Sequence, residues 1–211
     1  MRMMAAVFLT YCACEGQSIT VGALGGGRVT DDVTLLAIPE SRRYVAGPSV
    51  EVSLAHGLAV EFDALYHRNR YIWATGNFAE SLTQLERANS WELPLLAKYY
   101  VPLRGIKPFV VAGLAPRTIT GAIYEYGYSI NVQTGAQTPF SGTMKTNWSS
   151  GLGFVTGGGL QFSIGHLQLA PQVRYTYWLS TPMDTFTYSD TGFKSTQQQV
   201  DVVMGIGWRL R

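Results

Sequence analysis

Three glutamates and a histidine are the residues in this sequence whose types could support catalysis. Glu51, Glu61 and Glu92 could form a paired general acid and base, but that chemistry needs an open substrate cleft. No serine flanks His67 in its segment, so a nucleophilic Ser–His–acid site is not indicated. The other two histidines, His56 and His166, lie in short glycine-containing segments typical of exposed turns. The sequence therefore predicts no enzyme.

Binding motifs are also scarce. Arg28, Asp31 and Asp32 could bind a cation or a polar ligand, although a solvated loop is the better explanation for them. The glycine runs 25–27 and 157–159 are not phosphate cradles, because neither continues into Lys-Ser/Thr. We expect no cofactor and no metal.

The composition narrows the class of protein. Charged residues make up 14% of the 211 residues, and the formal net charge is +2. A soluble domain carries about 25% charged residues, and so small a basic surplus argues against a nucleic-acid partner. No apolar run reaches the roughly 18 residues that a membrane helix needs. The chain has the low charge of a membrane protein without such a helix.

Residues 1–16 resemble a short secretory signal peptide, with Arg2, the apolar run 5–9 and small residues before Gly16. The alternatives are a buried first strand or helix turn, or a lipid-anchored cysteine. Both cysteines, Cys12 and Cys14, lie in this segment, so a mature domain of residues 17–211 would contain no disulfide and no cysteine metal site.

Strict alternation of apolar and polar residues recurs along the chain and predicts β-strands. The clearest case is 58–66, and eight strands of about ten residues account for the whole pattern. Tight connections at 55–57, 103–106 and 165–166 alternate with long ones at 28–43, 68–89, 119–151 and 179–197. In an antiparallel up-and-down sheet, this places every long loop at one end, as in outer-membrane barrels. The sequence therefore predicts an all-β fold, an eight-stranded antiparallel up-and-down transmembrane β-barrel.

The polar face of the strands is expected to line the lumen. Its few charges are balanced in sign, and glycines such as Gly157 would leave space for long side chains. Register counting pairs Glu51 with Glu61, and Arg174 with Gly157, so a cation must lie between the two glutamates. We expect a structural network of charges that fills the lumen: Glu51, Glu61, Asp63, Glu92, Lys98, Arg174, Asp201 and Arg209.

Large aromatic residues concentrate near the strand ends, as expected for two membrane–water interfaces. The predicted girdle at the long-loop end contains Tyr66, Trp91, Tyr175, Tyr177 and Trp178, and the one at the tight-turn end contains Tyr99, Phe162 and Trp208.

With these patterns, residues 17–211 resemble the bacterial outer-membrane beta-barrel family of eight-stranded, OmpA-like or OmpX-like proteins. The resemblance rests on 18–22, 47–52, 60–66, 90–99, 107–113 and 171–175. It implies the bacterial outer membrane, contact with its lipid, insertion by the barrel-assembly machinery, and a structural, adhesive or small-solute role. The chain departs from the family in ending Trp208-Arg209-Leu210-Arg211 rather than on an aromatic residue. Pro94, Pro116 and Pro171 also predict at least one bulge or break.

Three functions stay open at this stage. The first is a structural or surface-interaction barrel that acts, with an extracellular ligand, through its long loops. The second is a narrow channel for small or hydrophobic solutes. The third is a soluble, lipocalin-like ligand-binding barrel, which requires the apolar face to point inward.

Overall fold

A computed structural model describes residues 18–30, 33–34, 38–39, 43–76, 80–103, 106–131, 133–147, 151–180 and 194–210. The predicted signal peptide at 1–16, with its two cysteines, lies outside the described residues, as do Asp31 and Asp32. Within the described part of the chain, no helix is long and apolar enough to span a membrane.

Eight strands build the molecule, and three of them consist of two segments. They are β1 (Ser18–Arg28), β2 (Tyr44–Ser53), β3 (Leu58–Asp63 and Leu65–Gly76), β4 (Glu80–Glu92 and Leu95–Tyr100), β5 (Lys107–Ile130), β6 (Gln137–Asn147 and Gly151–Ile164), β7 (Leu167–Trp178) and β8 (Gln198–Leu210). Two-residue strands lie at Val33–Thr34, Ile38–Pro39 and Lys194–Ser195.

The strands form one closed antiparallel barrel. Each strand pairs with the next along the chain, and β1 pairs with β8, from Ile19 opposite Leu210 to Arg28 opposite Asp201. Closure satisfies the backbone groups of both terminal strands, which lipid could not do. The predicted all-β, eight-stranded up-and-down architecture is confirmed.

The predicted registers are also confirmed. Glu51 lies opposite Glu61 in the β2–β3 ladder, and Gly157 lies opposite Arg174 in the β6–β7 ladder. The expected break occurs at Pro94, which separates the two segments of β4. The Pro94 carbonyl still accepts from Asp63 N at 3.0 Å, so the proline removes one ladder donor without shifting the register.

The connections differ from the expected ones at two places. The tight turns at 55–57 and 165–166 lie where predicted, and the first contains His56 and Gly57 with φ of 60° and 78°. The third predicted turn, at 103–106, includes residues 104 and 105, which lie outside the described residues. The segments expected as long loops at 68–89 and 119–151 are instead mostly strand, because β3 pairs with β4 up to Gly76 and β5 pairs with β6 up to Ile130. These hairpins continue the sheet beyond the barrel, where neither face of a strand meets lipid, so the alternation that identifies strands fades there.

Side-chain direction distinguishes a transmembrane barrel from a soluble, lipocalin-like barrel. On β3, Glu61 and Asp63 are 3% and 0% exposed, whereas Phe62 between them is 47% exposed. The same alternation separates buried Arg174 from exposed Val173 on β7. The apolar face therefore points outward, and the soluble ligand-binding barrel with an apolar interior is wrong.

Candidate functional site

The interior of the barrel holds two clusters of charged and polar side chains. We call the one nearer the tight turns the lower cluster, and the one nearer the long connections the upper cluster. The lower cluster consists of Glu51, Glu61, Asp63, Lys98 and Arg174, and the upper cluster of Arg28, His67, Glu92, Gln199 and Asp201. Apolar groups pack beside them on two parts of the wall, around Leu96, Phe109 and Trp178 and around Leu24, Val45 and Leu65.

Lys98 lies between the two glutamates that the β2–β3 register brings side by side. Its Nζ donates to Glu51 Oε2 at 2.8 Å and to Glu61 Oε2 at 2.7 Å. The ammonium also lies 4.0 Å from the centroid of the Phe109 ring, a cation–π distance. Tyr100 OH donates to the Glu51 carboxylate at 2.8 Å. Lys98 thereby relieves the repulsion between like charges that the register imposes.

Arg174 connects β7 to β3 across the lumen. Its Nη1 donates to Asp63 Oδ2 at 2.7 Å, its Nη2 donates to Glu61 Oε1, and its Nε donates to Gln172 Oε1 at 3.2 Å. All five hydrogens of a guanidinium lie in one plane, which suits two carboxylates on one opposite strand. Because β3 and β7 are four strands apart in either direction around the barrel, this contact spans the full lumen.

Glycine at position 157 is required by close approach. A Cβ added there would lie 2.4 Å from the Val173 carbonyl oxygen and 3.1 Å from the Arg174 Cα. A side chain at this position would therefore separate β6 from β7 where Arg174 enters the lumen.

Arg28 organises the upper cluster, and its predicted place in a solvated loop is wrong. It is the last residue of β1 and is buried, because β1 continues through the glycine run 25–27 to pair with β8. Its Nε donates to Asp201 Oδ1 and its Nη2 to Glu92 Oε1, both at 3.1 Å. The guanidinium thus joins β1 to β4.

His67 belongs to the same cluster rather than to the surface rim where the sequence places it. The ring is buried, with Nε2 3.1 Å from Arg28 Nη1 and Nδ1 3.6 Å from Glu92 Oε1. An arginine can only donate, so Nε2 accepts and the proton of the neutral ring lies on Nδ1, toward the Glu92 carboxylate.

Gln199 connects the upper cluster to an indole. Its Nε2 donates to Glu92 Oε2 at 3.1 Å and to Asp201 Oδ2 at 2.6 Å, while its Oε1 accepts from Trp178 Nε1 at 2.8 Å. Trp178 is 1% exposed, so its assignment to an aromatic girdle is wrong. It follows outward-facing Tyr177 by one residue, and the period of two turns it inward. The Cζ atom of Arg117 lies 3.7 Å from the centroid of the Trp178 ring.

Arg209 lies apart from both clusters, near the tight-turn end. With the Gln168 amide oriented to satisfy both of its atoms, the amide oxygen accepts from Arg209 Nε at 2.8 Å and from Nη2 at 2.6 Å. A cavity of about 190 Å³ opens here, between Arg209, Glu51 and Tyr100. A second cavity, of about 40 Å³, lies farther inside and reaches Lys98 and Glu61.

The charges in and beside the two clusters are equal in number. Five carboxylates, Glu51, Glu61, Asp63, Glu92 and Asp201, accompany five cations, Arg28, Lys98, Arg117, Arg174 and Arg209. Each carboxylate accepts from a cation, so none is available as a free base. Among the described residues, no group of His, Cys, Asp and Glu is arranged to hold a metal ion.

Most of the other aromatic residues of the predicted girdles lie on the outside. At the long-connection end, Tyr66 packs between Tyr44 and Trp91, with ring centroids 6.4 and 5.2 Å away. At the tight-turn end, Trp208 stacks on His166 at 5.6 Å. Tyr99, Tyr175 and Tyr177 are exposed, and Phe162 is half-buried.

Among the interior residues that sequence reasoning missed are Arg28, His67, Tyr100, Arg117 and Gln199. For four of them a signal was present. His67 and Tyr100 lie an even number of residues from Glu61 and Lys98, and Gln199 lies two residues before Asp201. Arg117 likewise shares the parity of the buried strand residue Val111. Strict extrapolation of the period of two would have placed all four inside.

Comparison with known proteins gives a family and a fold. The family model described as "Outer membrane protein beta-barrel domain" matches residues 37–181. None of the curated proteins is similar enough in sequence to match. A major outer membrane protein from Thermus thermophilus is similar in structure, with a TM-score of 0.58, 11% identity, and coverage of 93% of this chain and 100% of that chain.

Two further solved structures are more distant. The N-terminal beta-barrel domain of Pseudomonas aeruginosa OprF has a TM-score of 0.45 and 16% identity, over 92% of this chain and 97% of that one. Neisserial surface protein A has a TM-score of 0.45 and 12% identity, over 92% and 99%. The family match spans more than half of the 211 residues. The chain therefore belongs to the outer membrane protein beta-barrel domain family, a family of the bacterial outer membrane.

Proposed function

We propose that this protein is a closed, non-conducting barrel with a structural or surface-interaction role. In this proposal the two lumen clusters act as a plug, which holds the wall together and blocks solute passage. The protein works through the surface that it presents beyond the membrane, and it catalyses no reaction.

The contact between Arg174 and Asp63 carries the proposal. An eight-stranded barrel is just wide enough for side chains to fill, and this ion pair joins opposite walls at 2.7 Å. Above it, Arg28 joins β1 to Glu92 on β4. A solute would have to part both contacts, each of which neutralises charges in a site of low dielectric.

The cavities are compatible with a plug. The inner one, of about 40 Å³, has room for roughly three water molecules at about 10–15 Å³ each. The 190 Å³ cavity lies at the tight-turn end, below the lower cluster. It is the observation that favours the second candidate, a narrow channel for small solutes.

The surface role would belong to the two hairpins that rise beyond the barrel. On β5 and β6 they expose Tyr126, Tyr128 and Phe140 among serine, threonine and glycine residues. Aromatic rings beside small polar residues make a versatile contact surface, which suits an extracellular ligand. Outer-membrane lipid, and the barrel-assembly machinery during insertion, are the other partners in this proposal.

Conductance across a planar bilayer tests the plug directly. The purified, folded protein should give no stable current steps, as in a protein-free bilayer with detergent. The double variant Arg28→Ala/Arg174→Ala, which removes one cation from each cluster, should give small steps. Tyr175→Ala, on the outward face, is the matched control and should remain silent. Stable, reproducible steps from the unaltered protein would replace the plug with the channel.

A further inference from the structure

The cavity at the tight-turn end of the barrel is lined by two cations that form no ion pair. It measures about 190 Å³, and Arg209 of β8 and Lys107 of β5 both line it. Among the described residues, no carboxylate lies within ion-pair distance of either side chain. Lys107 is also not one of the five cations that match the five interior carboxylates in number. This end of the lumen therefore carries an excess of positive charge.

The period of two turns both cations into the lumen. Lys107 precedes buried Phe109 by two residues on β5, and half-buried Arg209 lies six residues after buried Val203 on β8. The β5–β6, β6–β7 and β7–β8 ladders separate the two strands, so the cations extend from different parts of the wall. A ligand in the cavity would lie between them.

Both cations keep donor atoms for a ligand. The Gln168 amide oxygen accepts from Arg209 Nε and Nη2, which leaves Nη1 without a partner. Lys107 Nζ donates to no described residue. Ser18 and Ser53, each with a hydroxyl donor, line the same cavity. A guanidinium edge, an ammonium group and hydroxyls are donors that suit the oxygens of an oxyanion.

Glu51 is the acidic residue among the described residues that line this cavity, and its carboxylate is already engaged. Its Oε2 accepts from Lys98 Nζ at 2.8 Å, and Tyr100 OH lies 2.8 Å from both of its oxygens. These contacts hold the carboxylate at the inner end of the cavity, beside the lower cluster. The mouth of the cavity is left to Arg209 and Lys107.

We propose that this cavity binds a small tetrahedral oxyanion, such as inorganic phosphate, between Arg209 and Lys107. A tetrahedral anion presents oxygens to two walls at once, whereas a carboxylate has two oxygens in one plane. Drug-sized ligands occupy pockets of about 300–1,000 Å³, so a cavity of about 190 Å³ suits a smaller ligand. Short turns of outer-membrane barrels face the periplasm, and the anion would enter from that side. The lower cluster lies above the site, so binding does not depend on whether the lumen conducts.

Nuclear magnetic resonance of the isotope-labelled, folded full chain tests the proposal. The protein is held in non-ionic detergent without lipid or phosphate, and sulfate or phosphate is added at constant ionic strength with chloride as the balancing anion. The amides of Thr20 and Gln161, which lie opposite Arg209 and Lys107 in their ladders, should shift and saturate. Arg209→Gln and Lys107→Gln should each raise the dissociation constant about tenfold, because a charge-assisted hydrogen bond is lost.

Matched variants separate the site from general charge screening. Arg87→Gln removes one exposed cation beyond the barrel and should leave the dissociation constant unchanged. Lys107→Arg keeps the charge and should retain most of the binding. The amide spectrum of each variant reports whether the barrel is folded.

Three results would overturn the proposal. The first is the absence of saturable shifts in the unaltered protein. The second is an equal loss of binding in Arg87→Gln and Lys107→Gln, which would show that the anion responds to net charge alone. The third is binding of acetate as tight as that of sulfate and phosphate, which would contradict a site for a tetrahedral oxyanion.

Discussion

The guanidinium of Arg174 on β7 donates to the carboxylate of Asp63 on β3, at 2.7 Å, from the opposite wall of the barrel. The same guanidinium binds Glu61, whose other oxygen accepts from Lys98. Three strands are thereby joined through one carboxylate. Because Arg174 has carboxylates on one side and the glycine-lined β6 on the other, its position is set both by charge and by space.

Removal of Arg174 should be strongly destabilising. Arg174→Ala leaves two buried carboxylates with one fewer cation, and breaking a buried pair in this way costs about 3–5 kcal/mol. Denaturant unfolding of the folded barrel in detergent measures the loss. The matched control is Arg209→Ala, at the half-buried tight-turn end, which should cost less.

A double-mutant cycle with Asp63→Asn separates the ion pair from general packing. If the two groups act together, the double variant should lose at least about 1 kcal/mol less than the sum of the single losses. Additive losses would show that the contact between the two side chains contributes no coupling.

Substitution of Gly157 should also destabilise the barrel. In Gly157→Ala the new Cβ would meet the Val173 carbonyl oxygen at 2.4 Å, so β6 and β7 must move apart, at a cost of about 1–3 kcal/mol. Gly25→Ala is the matched control, since no atom lies within 4 Å of a Cβ there. Unfolding midpoints of the two variants should differ clearly. Equal midpoints would mean that the sheet absorbs the methyl group without strain.

The hydrogen bond of Trp178 should contribute measurably to stability. Trp178→Phe keeps an aromatic ring but removes the Nε1 donor to Gln199. Because the buried Gln199 oxygen then has lost this donor, the free energy of unfolding should fall by about 1–3 kcal/mol. Trp91→Phe is the control, because Trp91 is half exposed on the outside. Unfolding in denaturant compares the two, and a larger loss for Trp91→Phe would contradict the interior assignment.

Alternation predicted the membrane-spanning strands because each has one face toward lipid and one toward a polar lumen. That contrast exists only within the membrane. Alternation predicted the pairing of Glu51 with Glu61 and of Gly157 with Arg174, because side-chain parity and a tight turn together determine the register. Alternation also predicted which eight charged residues face the lumen. Which of them contact one another could be seen only in the structure.

The remaining differences between the prediction and the structure also follow from the alternation of apolar and polar residues. The glycines at 25–27 carry no side chain, so they give no apolar or polar signal, and the continuation of the first strand to Arg28 was not recognisable. Trp178 was assigned to a girdle by residue type, although its parity with Arg174 places it inside. In the two hairpins beyond the barrel, both faces of the sheet leave the lipid, so the sequence alternation fades while the backbone pairing continues to Gly76 and Ile130.

The outward face of β8 provides a test of membrane depth. Met204 is 43% exposed and lies four residues from Trp208, near the middle of the strand, whereas Leu210 is 47% exposed at its tight-turn end. Met204→Arg should destabilise the barrel in phospholipid vesicles by about 2–4 kcal/mol, and Leu210→Arg by about 0–1 kcal/mol, because the cost of a cation depends on its depth. Reversible unfolding from vesicles measures both. Equal costs at the two positions would place the lipid boundary elsewhere on β8.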